Sequence, residues 1–148
     1  MEIKFKKLTE TAITPTRSDS GAVGFDLYSD SNTFIACDEC TMLIDTGIAI
    51  EIPKGYWGGI YARSGLACNN GIRLANCVGV IDSSYRGSIR VALYRDKVTF
   101  PKQEHKIIPH GTRIAQLIIH KYEDINLVEV DELSETERGT GGFGSSGE

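Results

Sequence analysis

The chain has 148 residues, 41% of them hydrophobic, with a formal net charge of −4 and a sequence pI near 5.4. That length and apolar share suit one globular domain with a sizeable core and argue against two. The acidic balance argues against a nucleic-acid or anionic-membrane surface, which needs a dense field of Lys and Arg, so any phosphate bound here must rely on a few placed cations, amides or a metal.

In chain order the pattern is many short strands and hardly any helix. The opening MEIKFKKL lacks the apolar core of a secretory signal, and no stretch approaches a membrane span. The expectation is a soluble, intracellular protein. Ile3 and Phe5 alternate with Lys4 and Lys6, which predicts an opening strand at a sheet edge. Cys37 and Cys40 form half of a zinc-ribbon pattern, but Cys68 and Cys77 are too far apart to supply the other half and no histidine follows at finger spacing. Reduced thiols are the expected state.

The strongest alternation runs from Met42 to Ile52, with Met42, Ile44, Thr46, Ile48, Ile50 and Ile52 on one face and Asp45 and Glu51 on the other. It predicts a half-buried strand, or two joined at Gly47, ending in the turn Pro53-Lys54-Gly55. Further strands are predicted at Trp57 to Ala62, Arg73 to Asn76, Ser88 to Arg95, Arg113 to Tyr122 and Asn126 to Val130, with one short helix over Gly65 to Asn70. Turn residues at short spacing between such runs indicate an all-β jelly-roll or barrel.

Four places carry candidate chemistry. In GVIDSSYRG, Gly79 to Gly87, an apolar run enters and an alternating run leaves, which reads as a hairpin. Its main-chain groups could read the edge of a planar base, with Asp82 where that base enters. Alternatively Asp82 makes an Asx-turn to its own backbone. In YARSGLA, Arg63 and Ser64 precede the short helix and could converge with its first amides on an anion, although an N-cap serine beside a solvated arginine gives the same letters. Gln116, inside the apolar RIAQLII, must find partners or face a ligand.

The tail RGTGGFGSSGE, Arg138 to Glu148, is too glycine-rich to order itself by burial. It mimics the start of a phosphate-binding P-loop, but Ser145 and Ser146 stand where that motif needs Lys then Ser or Thr. It reads either as an idle end or as a ribbon offering amides, hydroxyls, one guanidinium and the Phe143 ring to a nucleotide.

Taken together, AVGFDLYS (Ala22 to Ser29), ARSGLA (Ala62 to Ala67), NCVGVIDSSYRG (Asn76 to Gly87), GTRIAQLI (Gly111 to Ile118) and RGTGGFGSSG (Arg138 to Gly147) resemble, in order, the five motifs of the trimeric deoxyuridine triphosphatases, the dUTPases. One such motif would be weak; five in register are very specific. The resemblance implies a distorted jelly-roll protomer, residues 1–133, with a flexible lid, residues 134–148, assembling as a homotrimer whose three sites are shared between chains. It implies hydrolysis of dUTP to dUMP and pyrophosphate, with Mg2+ chelated by the triphosphate.

By the same resemblance, Asp82 activates the attacking water and Tyr85 packs on the deoxyribose. Asn76 and the main chain of Gly79 and Ile81 hold the sugar and uracil. Arg63, Ser64, Gly65 and Gln116 contact the phosphates. Asp26 supports either the metal's water shell or a neighbouring arginine. Arg138, Gly144, Ser145 and Ser146 match the phosphate grip of the lid, and Phe143 its uracil-stacking ring. The chain departs from the family pattern at Phe25, Ala62, Ser84 and Thr112, none of them a named catalytic group. Two alternatives stand beside this reading. One is a nucleotide-sensing binding protein on the same fold. The other is a dCTP deaminase relative, disfavoured because SIRVALYR lacks the glutamate that chemistry uses.

Overall fold

The structure is a computed structural model and describes residues 1–36, 41–96 and 105–142. Cys37 and Cys40 lie outside the described residues. The elements are β1 (Lys4–Lys7), β2 (Phe25–Tyr28), β3 (Thr33–Ala36), β4 (Thr41–Asp45), β5 (Ile48–Glu51), β6 (Tyr56–Tyr61), α1 (Ser64–Asn70), β7 (Ile72–Leu74), β8 (Gly79–Ile81), β9 (Arg90–Arg95), β10 (His105–Ile108) and β11 (Arg113–Lys121). Every strand pair is antiparallel. The sheets run β2-β11-β6-β8, β4-β9-β7, β1-β5 and β10-β3, the short-stranded, helix-poor architecture expected of a jelly roll.

The long alternating run splits into β4 and β5 at Gly47, whose φ of +64° suits glycine. A Cβ there would lie 2.7 Å from both the Ala12 Cβ and Asp30 Oδ2, so close approach also requires it. Ile44, Thr46, Ile48, Ile50 and Ile52 are buried, joined by Leu27, Ile60, Ile72, Ile89, Val91, Leu93, Ile114 and Leu117 in one core. Thr46 is satisfied there: its Oγ1 donates to the Ile89 carbonyl at 2.8 Å. The turn after β5 closes with the Tyr56 N–H on the Pro53 carbonyl and Gly55 at φ +86°.

Two expectations need correction. β8 and β9, the runs on either side of Asp82, do not form a hairpin. β8 pairs with β6, while β9 lies between β4 and β7. The stretch is therefore a bend by which the chain leaves one sheet for another, a distinction that local turn residues do not encode. Asn126 to Val130 also forms no strand. It is rich in branched apolar residues, but no strand among the described residues pairs with it, and Leu127 is 94% exposed with Ile125, Val128, Val130 and Leu133 also on the surface. The opening strand is the predicted edge: among the described residues β1 pairs only with β5.

Candidate active site

Two clusters of candidate residues lie on the four-stranded sheet. The first centres on Asp26 in β2, 4% exposed. Arg63 Nε donates to its Oδ1 at 3.0 Å and Arg113 Nη1 to its Oδ2 at 3.2 Å. Arg63 Nη1 also reaches the Arg113 carbonyl at 3.4 Å. A buried carboxylate is costly alone, and here two guanidinia neutralise and hydrogen-bond it. Gln116 is the cross-strand partner of both Asp26 and Tyr61. Its amide is half-buried and makes no hydrogen bond among the described residues. Gly24 leaves room for it, since a Cβ there would lie 3.2 Å from the Gln116 Cβ.

Arg63 is also the N-cap of α1, without a side-chain cap bond. Ser64 is thus the first helical residue rather than the cap, and its exposed hydroxyl has no partner among the described residues. A Cβ on Gly65 would meet nothing within 4 Å, so this corner opens to solvent.

The second cluster is the bend after β8. Tyr85 N–H closes a turn on the Asp82 main-chain carbonyl at 3.1 Å. The Asp82 carboxylate is exposed and has no hydrogen-bond or ion-pair partner among the described residues, which removes the Asx-turn alternative. Arg86 Nη1 donates to the carbonyls of Ser83 at 2.7 Å and Tyr85 at 2.8 Å, and the Tyr85 hydroxyl donates to the Ser88 carbonyl at 2.9 Å. Ser88 Oγ in turn donates to Asp45 Oδ1, which also accepts the Gly47 N–H. The bend is exposed yet braced on both sides.

A cavity of about 210 Å³ opens beside it, lined by Leu43, Val80, Ile81, Asp82, Tyr85, Ser88 and Arg90. β8 is the edge of its sheet, so half of its main-chain N–H and C=O groups point away from β6 without a strand partner. At the entrance, Cys77 has a φ of +61°, and the Val78 N–H bonds the Asn76 carbonyl at 2.6 Å. That tight turn brings the Asn76 amide against Gly79, where a Cβ would lie 3.6 Å from Nδ2. Leu43, Ser88 and Arg90 are cavity residues that sequence reasoning missed. The signal for two of them was present, since Ser88 and Arg90 alternate with the buried Ile89, Val91 and Leu93.

The two clusters are not adjacent. Arg63 lies just beyond the end of β6, whereas Asp82 follows Ile81, which pairs with Gly58 near the start of β6. At a rise of about 3.3 Å per residue, roughly 15–20 Å of strand separates them. Arg138 joins neither cluster: its Nε donates to the Gly141 carbonyl at 2.9 Å within its own turn. Phe143, Gly144, Ser145 and Ser146 lie outside the described residues.

The family model described as dUTPase matches residues 10–147. Among curated proteins, the chain is 44% identical to a deoxyuridine 5'-triphosphate nucleotidohydrolase of Nautilia profundicola over 147 residues, 99% of each. It is 42% identical to that of Clostridioides difficile over 145 residues, 98% of this chain and 97% of the relative. Among solved structures it is similar to the Staphylococcus bacteriophage 80alpha dUTPase with dUPNHPP, at a TM-score of 0.87 and 28% identity over 99% of this chain and 98% of the other. A variant of the phage phi11 dUTPase, described with a structural Mg(II) ion, shares the fold at a TM-score of 0.81 and 22% identity, over 89% of this chain and 98% of the other.

Proposed function

This chain belongs to the dUTPase family and is a dUTP diphosphatase, and from that premise we propose that Asp82 is its general base, in sites assembled from more than one copy of the chain. The observation that carries the assignment is an unpartnered carboxylate beside an aromatic ring, in a cavity walled by an edge strand. An edge strand presents fixed donors and acceptors to a uracil. Tyr85 packs on the deoxyribose and leaves no room for a 2'-hydroxyl, and Asn76 holds the sugar.

Asp82 takes a proton from a water that attacks the α-phosphorus. The bond from that phosphorus to the bridging oxygen breaks, and pyrophosphate leaves with the oxygen, giving dUMP. Arg63, Ser64, Gly65 and Gln116 bind the phosphates from the other cluster. Asp26 holds the two arginines in place, so its role is through them.

Magnesium fits this donor set as the companion of the triphosphate. Among the described residues no three His, Cys, Asp or Glu side chains meet to hold a metal, and both Asp26 oxygens already accept from guanidinia. When bound, the ion supplies neutralisation of phosphate charge.

The separation of the two clusters along β6 supports sites shared in a homotrimer, because within one chain the phosphate-binding residues at Arg63 and Ser64 stand roughly 15–20 Å of strand from Asp82. Residues 134–148 complete each site as a lid, with Arg138, Gly144, Ser145 and Ser146 on phosphate and Phe143 over the base. No helix of the described residues is long and apolar enough to cross a membrane.

The test is pyrophosphate release from dUTP, dCTP, dTTP and UTP with magnesium, for the natural chain and Asp82→Asn. We expect selectivity for dUTP, and a variant that still binds a nonhydrolysable dUTP analogue while turnover drops by orders of magnitude. Retained turnover would remove Asp82 from this role.

A further inference from the structure

Residues 82–88, the bend after β8, are hydrogen-bonded mostly to one another. The Tyr85 N–H meets the Asp82 carbonyl, Arg86 Nη1 meets the carbonyls of Ser83 and Tyr85, and the Tyr85 hydroxyl meets the Ser88 carbonyl. Among the described residues, one hydrogen bond leaves this unit for the rest of the fold, from Ser88 Oγ to Asp45 Oδ1. The chain on either side is fixed elsewhere. Ile81 pairs with Gly58 in one sheet, while the Ile89 N–H donates to the Ile48 carbonyl at 2.8 Å and the Ile89 carbonyl accepts from Thr46 Oγ1 at 2.8 Å. The bend hangs between these anchors, and its tilt is set where Ser88 meets Asp45.

Asp45 had another partner within reach. It ends β4 directly opposite Arg90 of β9, and opposite charges at facing positions of two strands attract. Among the described residues no ion pair joins them. Oδ1 instead accepts both the Gly47 N–H, at 2.8 Å, and the Ser88 hydroxyl, so this half-buried carboxylate links the β4–β5 turn to the bend. Hydrogen bonds to a carboxylate are about twice as strong as neutral ones. The turn is also closely packed, since a Cβ on Gly47 would lie 2.7 Å from the Ala12 Cβ and from Asp30 Oδ2, which makes it a firm support.

We infer that Asp45 is a positioning residue for sugar selection, acting through Ser88 on the Tyr85 ring. This role rests on the reading of Tyr85 as the group that packs on the deoxyribose, and it carries that reading to a residue on another sheet and outside the five motifs. Asp45 does not line the cavity beside the bend, whereas Ser88 and Tyr85 both do. The Tyr85 hydroxyl is held by the Ser88 carbonyl, so a shift of Ser88 carries the tip of the ring with it. A ring displaced outward opens the space in which a 2'-hydroxyl would otherwise collide, and UTP gains relative to dUTP.

The experiment measures kcat/KM for dUTP and for UTP, with the melting temperature, for the natural full chain, Ser88→Ala, Asp45→Ala, Asp45→Asn and the double variant Ser88→Ala with Asp45→Ala. Ser88→Ala removes the tether but keeps the Gly47 N–H on Asp45 and the carbonyl that holds Tyr85, so a role confined to the turn leaves its selectivity unchanged. We expect the dUTP-to-UTP ratio of kcat/KM to fall about 5- to 20-fold in Ser88→Ala, by a similar factor in Asp45→Ala, and no further in the double variant, because both changes break one link. Asp45→Asn, whose amide oxygen still accepts from both donors, recovers most of the ratio. A natural ratio in folded Ser88→Ala overturns the role of Asp45 and leaves the Tyr85 reading standing, as do losses that multiply in the double variant. A natural chain that does not prefer dUTP to UTP overturns the Tyr85 reading and the role of Asp45 with it. Should Asp45→Ala not fold, a ratio lost in Ser88→Ala and kept in Asp45→Asn supports the role, and any other pair of results overturns it.

Discussion

Gly87→Ala isolates the placement of the Tyr85 ring from the stability of the fold. A Cβ at position 87 would lie 2.5 Å from the Tyr85 hydroxyl oxygen and 2.7 Å from Cζ, whereas unstrained contacts between such atoms are about 3.5 Å. The tip of the ring must therefore move by about 1 Å. Gly87 is not one of the glycines with positive φ, so alanine carries no backbone penalty there. The ring is 39% exposed and can swing into solvent, so the fold loses little beyond the hydrogen bond to Ser88, about 0.5–1.5 kcal/mol.

Catalysis is less forgiving, because a misplacement of about 1 Å in a positioning group can cost on the order of 100-fold. We expect kcat/KM for dUTP to fall about 10- to 100-fold, discrimination against UTP to weaken, and the melting temperature to drop by only a few degrees. Steady-state pyrophosphate release on both nucleotides, with thermal denaturation by circular dichroism, gives all three quantities. Unchanged kcat/KM and unchanged discrimination would refute the link between ring position and sugar selection.

Asp26→Ala leaves two guanidinia facing an empty site. Breaking a buried pair costs about 3–5 kcal/mol, but the arginine side chains are 23% and 48% exposed, so about 2 kcal/mol is expected from the denaturation midpoint, together with weaker triphosphate binding. Deleting residues 138–148 should leave a folded protein of natural melting temperature with very poor turnover; normal turnover would end the lid assignment. Asp82→Asn and Arg63→Ala chains, each inactive alone, should regain about one quarter of the natural activity when refolded together in equal amounts, because that share of shared sites receives both natural residues. No recovery in verified mixed oligomers would place both residues in sites built by one chain.

Much of the fold was legible because one-sided burial writes itself into alternation. Met42 to Ile52 shows this plainly, and Gly47 carried the break between its two strands. The missing pieces have local causes. FDLY, Phe25 to Tyr28, is too short and mixed to declare itself a strand: Leu27 is in the core while Asp26 is buried with its arginines. The partner of β8 was illegible because a bend that crosses between sheets uses the same Asp, Ser and Gly residues as one that closes a hairpin. Asp82 and Tyr85 stood out from their neighbours, whereas the brace behind them, from Arg86 to two carbonyls and from Ser88 to Asp45, depends on contacts that no spacing reveals.

Asn126 to Val130 carries the same lesson in reverse. Its branched apolar residues predict a strand, yet Ile125, Leu127, Val128, Val130 and Leu133 all stand in solvent. Each such side chain, fully covered, would contribute about 1.5–3 kcal/mol, and a strand gains its hydrogen bonds only beside another. An apolar run that pairs with no strand among the described residues is what a surface between chains leaves in a sequence. The two halves of the site, held apart along β6, make the same demand from the side of the chemistry. One requirement comes from uncovered apolar area and the other from the separation of the two clusters, and assembly of copies satisfies both at once.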